Sequence, residues 1–294
     1  MTTSIRFHIK ILLLPAKIII INSKAFVKVI LIKMGGILVD KTITAKGILS
    51  NLKTDSVNLS LYDCVTSTNT LLKQMALDGK PEGEVVVALS QTAGRGRYNR
   101  KFYSDKGGIY MSILLRPNDI IDPALLTAAT AVAVSDAIEK VSGKSTQIKW
   151  VNDVLIDSKK VCGILCEGGI IGDNSFIVVG IGINAFKTEN GFSSEIKDIA
   201  GTVFEACSPT LCEQLTAHII DNLFYQYKNL EKREFLTAYR KKNIVLGEAV
   251  NILKQGEIID SGTVLEIDDN CHLTVRLSNG EITTLSSGEV SVKI

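Results

Sequence analysis

From about residue 57 the hydrophobic pattern of this chain alternates between strand-like and helix-like periods, and from Gly247 it changes to short strand-like runs alone. That switch limits the architecture more than any other feature. Residues 59–64, 85–89, 109–116, 147–150, 154–156, 161–167 and 176–183 read as strands. Ser67 offers an N-cap to a helix running through Leu77, with Gly79 as its stop. Asp122-Pro123 is an N-cap and first-turn pair for a long alanine-rich helix that ends at Gly143. Two more helices are expected over about 210–230 and 232–242. Beyond Gly247, turns at Gln255-Gly256, Asp269-Asn270 and Asn279-Gly280 separate short alternating runs. The pattern predicts an α+β fold: a mixed β-sheet with helices on one face, then a small β-barrel. The divisions fall at 1–56, an N-terminal extension, 57–243, the larger domain, and 244–294, the β domain.

Net charge is +2 over 294 residues, which removes any global electrostatic argument for nucleic acid or a membrane surface. The apolar stretches before Met34 are interrupted by Pro15, Lys17, Lys24 and Lys28, so none approaches the roughly 20 residues of a membrane span. Lys17 also splits the apolar run that a signal peptide would need. Residues 1–33 are expected to be a poorly structured extension or the product of an upstream start site. The six cysteines are scattered without CxxC spacing or histidine partners, the usage of reduced thiols in a cytoplasmic protein.

Chemistry concentrates in Gly94-Arg95-Gly96-Arg97-Tyr98-Asn99-Arg100-Lys101-Phe102, between two strand-like runs. Glycines let backbone approach an anion, and arginines supply forked, permanent donors for carboxylate or phosphate. Charges so crowded repel one another unless an anion sits among them, so the loop reads as an anion clamp or as a solvated basic turn.

A second stretch, Lys149-Trp150-Val151-Asn152-Asp153 followed by Lys160-Val161-Cys162-Gly163-Ile164-Leu165-Cys166-Glu167, places an amide, a carboxylate and a lysine at the ends of a hairpin. Cations that neutralise spreading charge and a carboxylate that holds magnesium are what phosphoryl chemistry on a nucleotide requires. Gly143-Lys144-Ser145 is no phosphate loop: Ile138 stands where its first glycine belongs, and the triplet ends a helix instead of opening one.

Five ordered motifs carry a family resemblance. They are Ser67-Thr68-Asn69; Gln91-Thr92-Ala93-Gly94-Arg95-Gly96-Arg97-x-x-Arg100-Lys101; Lys149-Trp150-x-Asn152-Asp153; Lys160-x-x-Gly163-Ile164-Leu165-x-Glu167; and Gly180-x-Gly182-Ile183-Asn184. In these the chain resembles the biotin protein ligases, biotin–[acetyl-CoA-carboxylase] ligases, over most of 57–294. The resemblance implies a catalytic domain of the class II aminoacyl-tRNA synthetase and biotin ligase type, with an SH3-like C-terminal barrel.

It also implies roles. Ser67, Thr68, Asn69, Gln91, Gly94 and Arg95, with Arg97, Lys160 and Gly163, would hold biotin. Arg97, Arg100, Phe102, Asn152, Lys160, Gly182 and Asn184 would hold ATP and the adenylate. Arg97, Arg100, Lys160 and Asp153 would be catalytic, with Asp153 on Mg2+. Biotin carboxylate would displace pyrophosphate from ATP to give biotinyl-5′-AMP, and a lysine of the biotin carboxyl carrier protein would then take the biotin. Phe102 stands where the family commonly has tryptophan and Val151 where it has proline, yet no group assigned to chemistry is lost.

Many family members also carry a winged helix-turn-helix and repress biotin genes. Residues 34–40 and 43–49 resemble the end of a wing and its linker, but no recognition helix precedes them, so DNA binding is not expected from this chain. An intact upstream domain would reopen the bifunctional ligase/repressor reading. A lipoate-type ligase of the same fold is the other alternative. A homodimer is left open.

Overall fold

The computed structural model describes residues 17–23, 26–32, 42–119, 121–171, 174–188, 191–254, 257–286 and 289–292. It forms two units, 1–42 and 43–294. In the first, β1 (Lys17–Ser23) pairs antiparallel with β2 (Phe26–Ile32), so part of the stretch expected to be irregular forms a hairpin. The expected wing end at 34–40 lies outside the described residues.

In the second unit the strands are β3 (Asn58–Tyr62), β4 (Glu84–Ala88), β5 (Gly108–Leu115), β6 (Gln147–Lys149), β7 (Asp153–Ile156), β8 (Lys159–Ile171) and β9 (Asn174–Asn184). They form one mixed sheet in the order β3-β4-β5-β9-β8-β7-β6, parallel only between β3 and β4. β8 and β9 fold back on one another as the long central hairpin, with Gly163 opposite Gly182 and Leu165 opposite Gly180.

Successive residues of a strand face opposite sides, and that alternation sorts the sheet. Val85, Val87, Ile113, Leu115, Val179 and Ile181 face the main core. There α3 (Pro123–Ser142) is apolar nearly all round, as a helix enclosed by protein must be. Its alanines bring it close to the sheet and to α4 (Pro209–Lys228). The expected Asp122 cap is in place, accepting from Ala124 N at 2.7 Å, and Gly143 ends the helix in the left-handed conformation at φ 71°. α5 (Phe235–Lys242) covers the β6 end.

Of residues 43–49, expected as linker, 45–49 belong to a short helix α1 (Ala45–Asn51) on α4. Glu213 of α4 accepts from Thr44 N at 2.8 Å and from Thr44 Oγ1 at 2.9 Å, and a side chain at Gly47 would overlap that carboxylate.

The expectation of helices on one face holds for these four. α2 (Thr68–Leu77) lies on the other face, where Leu72 and Ala76 pack on Val86, Leu114, Phe176 and Val178.

The C-terminal strands β10 (Ala249–Lys254), β11 (Glu257–Ile267), β12 (Leu273–Leu277), β13 (Ile282–Leu285) and β14 (Glu289–Val292) form an antiparallel sheet in the order β13-β12-β11-β10-β14. It is fastened to the larger sheet through side chains. Trp150 Nε1 donates to Cys271 O at 2.8 Å, and Arg240 reaches Ile267 O at 2.8 Å and Asp269 Oδ1 at 2.7 Å.

Candidate active site

On the α2 face a cavity of about 300 Å³ opens between α2, the 94–102 loop and the β7–β8–β9 region. Of the residues nominated from sequence, all but Gly94 line it. Gly94 is buried beneath the loop, where a side chain would overlap Ser104 Oγ and crowd Phe102 O at 2.6 Å.

Strand alternation explains the convergence. Gly163, Leu165 and Glu167 on β8 share a face with Gly180, Gly182 and Asn184 on β9, and Ser112 on β5 points the same way. Glycine is required at the first two β9 positions for steric reasons. A Cβ at Gly180 would overlap the Asn69 amide, and one at Gly182 would overlap the Phe102 ring. At Gly163 a Cβ would lie 2.9 Å from Phe102 Cε2 and 3.2 Å from Lys160 Nζ. Phe102 is therefore the aromatic wall of the cavity, seated on two glycines and meeting Tyr110 edge-on at 6.3 Å between centroids.

At one end stands the charged group. Lys160 Nζ lies 2.6 Å from Asp153 Oδ1 and 5.8 Å from the Phe102 centroid. Arg97 donates to Asn152 Oδ1 at 3.5 Å and to Tyr98 OH at 3.1 Å, and its guanidinium stands 5.1 Å from the Tyr98 ring centroid. Tyr98 itself is left-handed at φ 56°. Asn152 is locked against β8, donating to Ile164 O at 3.0 Å, and Asn184 Nδ2 donates to Lys160 O at 3.3 Å. Arg100 and Lys101 complete the basic loop, with the Lys101 ammonium 4.5 Å from the Tyr103 ring centroid.

At the other end the polar groups are mostly neutral. Ser67 caps α2, accepting from Thr70 N at 3.4 Å. Gln91 Oε1 accepts from Thr68 N at 2.8 Å, and Gln91 Nε2 donates to Ser104 Oγ at 2.9 Å. Ser112 Oγ, fully buried, lies 2.8 Å from Thr68 Oγ1 and 2.6 Å from Asn69 Oδ1. Asn69 Nδ2 donates to Glu167 Oε2 at 2.8 Å. Arg95 turns back from the loop to Glu167 at 3.4 Å and to Thr70 Oγ1 at 3.2 Å, while Lys73 meets the same carboxylate at 3.3 Å. Burial alone would raise the Glu167 pKa; the Asn69 hydrogen bond and the Arg95 and Lys73 charges outweigh it and hold it below the ordinary carboxylate value.

The sequence motif gives Glu167 no role of its own, and sequence alone points to neither Ser112 nor Ser104. The signal for Ser112 was a lone hydroxyl inside the apolar run 109–115. Burial pushes the Cys166 thiol up to about 11 against the pull of Thr127 and Arg97, and pushes Cys162 up as well, so neither supplies a thiolate. Among the described residues no cluster of three or more His, Cys, Asp or Glu has metal-binding geometry, and no helix is long and apolar enough to cross a membrane.

Comparison with known proteins agrees with this geometry. Residues 61–184 match the biotin/lipoate A/B protein ligase family and 245–293 the biotin protein ligase C-terminal domain. The bifunctional ligase/repressor BirA of Bacillus subtilis is 42% identical over 160 residues, 53% of this chain and 49% of that protein. The chain thus spans about half the length of the Bacillus relatives it matches. The biotin–[acetyl-CoA-carboxylase] ligase of Paracoccus denitrificans is 33% identical over 201 residues, 65% of this chain and 83% of that protein. The structure of the Aquifex aeolicus biotin protein ligase in complex with biotin and ATP superposes with a TM-score of 0.66 at 32% identity, covering 80% of this chain and 98% of that one. The two-part match, the Paracoccus relative and the shared fold place this chain in the biotin/lipoate A/B protein ligase family, among its biotin protein ligases.

Proposed function

We propose that the chain joins biotin to a lysine of a biotin carboxyl carrier domain at the expense of ATP, through biotinyl-5′-AMP. The observation that carries this reading is the two-ended cavity: a hydrogen-bonding end built from Thr68 and Gln91, and a cationic end built from Arg97, Arg100 and Lys160. A neutral ureido ring needs fixed donors and acceptors, and a carboxylate meeting a triphosphate needs cations.

In the first step the carboxylate oxygen of biotin attacks the α-phosphorus and pyrophosphate leaves. Both reactants are anions, so Arg97, Arg100 and Lys160 offset their repulsion and stabilise the charge that spreads over the phosphoryl oxygens. Phe102 walls the cavity and Asn184 supplies an amide for the adenine. In the second step the carrier lysine, as free amine, attacks the anhydride carbonyl; an amide forms, AMP leaves and the amine proton passes to solvent or to Asp153. The 94–102 loop, folded over the adenylate, would keep water from the anhydride between steps.

Asp153 is the one carboxylate lining the cavity among the described residues, and Lys160 already pairs with it. This donor set fits a magnesium ion held mainly by ATP phosphates, with Asp153 as a single protein ligand. Such an ion would supply charge neutralisation at the phosphates.

We assign catalysis to 57–243 and place the protein in the cytoplasm, where ATP and carrier proteins are supplied. DNA binding and a homodimer are not needed for this reaction. A lipoate-type ligase is disfavoured by the density of hydrogen-bonding groups at the Thr68 end, since a dithiolane ring offers no N–H to satisfy them. Incubation with labelled biotin, ATP, magnesium and a carrier domain tests the reading: labelled carrier is expected, and absence of both labelled carrier and biotinyl-adenylate overturns it.

A further inference from the structure

The turn that joins β6 to β7, residues 150–152, carries Asn152 and leads directly into Asp153, and its hydrogen bonds run outward to three different elements. Trp150 and Val151 are both buried. Trp150 Nε1 donates to Cys271 O of the C-terminal β domain at 2.8 Å. Asn152 is bonded to β8 through its side-chain amide and through its carbonyl, which accepts from Ile164 N at 3.0 Å. Between them, the Val151 carbonyl accepts from the Tyr239 hydroxyl at 3.1 Å. Tyr239 is fully buried in α5, and burial holds its phenol well above the ordinary pKa, so the hydroxyl stays protonated and donates. α5 is itself registered on the same hairpin, because Ile244, just beyond its end, donates from N to Ile148 O at 2.9 Å.

A peptide unit is planar, so the direction of the Val151 carbonyl also sets the Asn152 nitrogen and Cα. Asn152 Oδ1 accepts from Arg97, and the next side chain, Asp153, pairs with Lys160. One hydroxyl, outside the cavity lining, thus stands a single peptide unit behind the groups of the charged end. We propose that Tyr239 is a positioning residue for adenylate formation: by fixing the Val151–Asn152 peptide it holds Asn152 and Asp153 where Arg97 and Lys160 meet them. Without the hydroxyl the buried carbonyl loses its donor, and the peptide is free to turn toward another. A displacement of about 1 Å is enough to slow a positioned reaction by two orders of magnitude. The hydrogen-bonding end of the cavity draws on α2 and on the segment after β4, so the defect is confined to the charged end.

This inference rests on the proposed function, because the reaction followed is biotinyl-adenylate formation. The full chain is compared with Tyr239→Phe and with Leu236→Val, which thins the packing of the same helix but removes no hydrogen bond. Adenylate formation is timed at saturating biotin and ATP, and biotin affinity is measured by calorimetry. Fluorescence follows Trp150, the single tryptophan of the chain and the neighbour of Val151 in the turn. Tyr239→Phe is expected to form adenylate at least about tenfold more slowly, with biotin affinity within about twofold of the original and Trp150 emission altered. Leu236→Val is expected to keep its rate within about twofold and its emission unchanged. A Tyr239→Phe rate equal to the original, biotin affinity falling as far as the rate, a slow variant with unaltered emission, or an equal loss of rate in Leu236→Val each overturns the inference. Saturating biotin, which binds the folded chain, holds a weakened variant folded while its rate is read. An unmodified chain that forms no biotinyl-adenylate overturns the proposed function with it, whereas adenylate formed equally fast without the hydroxyl overturns only the role of Tyr239.

Discussion

Lys160 Nζ and Asp153 Oδ1 meet at 2.6 Å at the charged end of the cavity, one from the start of β8 and the other from the start of β7. The pair holds a cation beside the place where two anionic substrates must approach. Both side chains remain partly exposed, at 34% and 22%, so water screens the pair and its contribution to stability is modest.

Lys160→Ala is therefore expected to separate catalysis from folding. Biotinyl-adenylate formation should drop by about 10²–10³, the loss typical of removing one donor aimed at developing charge. The melting temperature should fall by no more than about 2–4 °C. Parallel losses in adenylate yield and in the fraction of folded protein would remove Lys160 from the chemistry.

Two glycines of the central hairpin separate steric need from mere occurrence. A side chain at Gly180 would overlap the Asn69 amide, which is held at both ends. At Gly168 the nearest atom to a new Cβ is Phe176 O at 3.7 Å. Gly180→Ala is expected to cost about 1–3 kcal/mol by overpacking and to weaken biotin binding, while Gly168→Ala stays within about 0.5 kcal/mol. Urea denaturation of the two variants side by side checks this, and equal midpoints would contradict it.

What could be read in advance follows from where the information lies. The Asp122 cap, the Gly143 stop and the strand runs are local, and they stand where expected. The site residues were legible because their chemistry is unusual for their setting: arginines between strands, and a lysine and an aspartate beside apolar runs. Strand order was not legible, because the placing of β9 beside β5 depends on registers that no short segment encodes. The same holds for α2. Its amphipathic pattern predicts a helix but is silent on which face of the sheet receives it, and on that choice depends the meeting of Asn69 with Glu167. Ser112 looked like a flaw in an apolar strand until α2 supplied its partners. Residues 45–51 show the converse: Thr44 caps them into a helix by accepting from Gly47 N, and Glu213, far along the chain, holds Thr44 in place.

Acid should weaken the fold partly through Glu167. Its carboxyl titrates below the ordinary value, so its charge contributes stability that is present above the unfolded pKa of about 4.3 and is lost as pH falls through the folded value. Glu139, lowered against burial by Lys242 and Thr146, acts in the same direction. A comparison with Glu167→Gln isolates the first contribution. The variant should melt below the original at pH 7, and the gap should narrow steadily below about pH 4.3. A gap independent of pH would show that the loss comes from packing and not from charge.

Phe102 and Gly182 should be energetically coupled. The ring occupies the space that a Gly182 side chain would fill, and it also forms the wall against which an adenylate would lie. In Gly182→Ala the ring must turn toward the cavity, so nucleotide affinity should fall although the strand is intact. Phe102→Ala alone should also weaken binding, by removing the wall. In the double variant the methyl at position 182 no longer meets a ring, so its added cost should largely vanish. A cycle measured by ATP titration is expected to give a coupling of about 0.5–3 kcal/mol, the range for residues in direct contact. Strictly additive losses would mean that the ring moves away without entering the cavity, and Phe102 would then not be the wall of the nucleotide site.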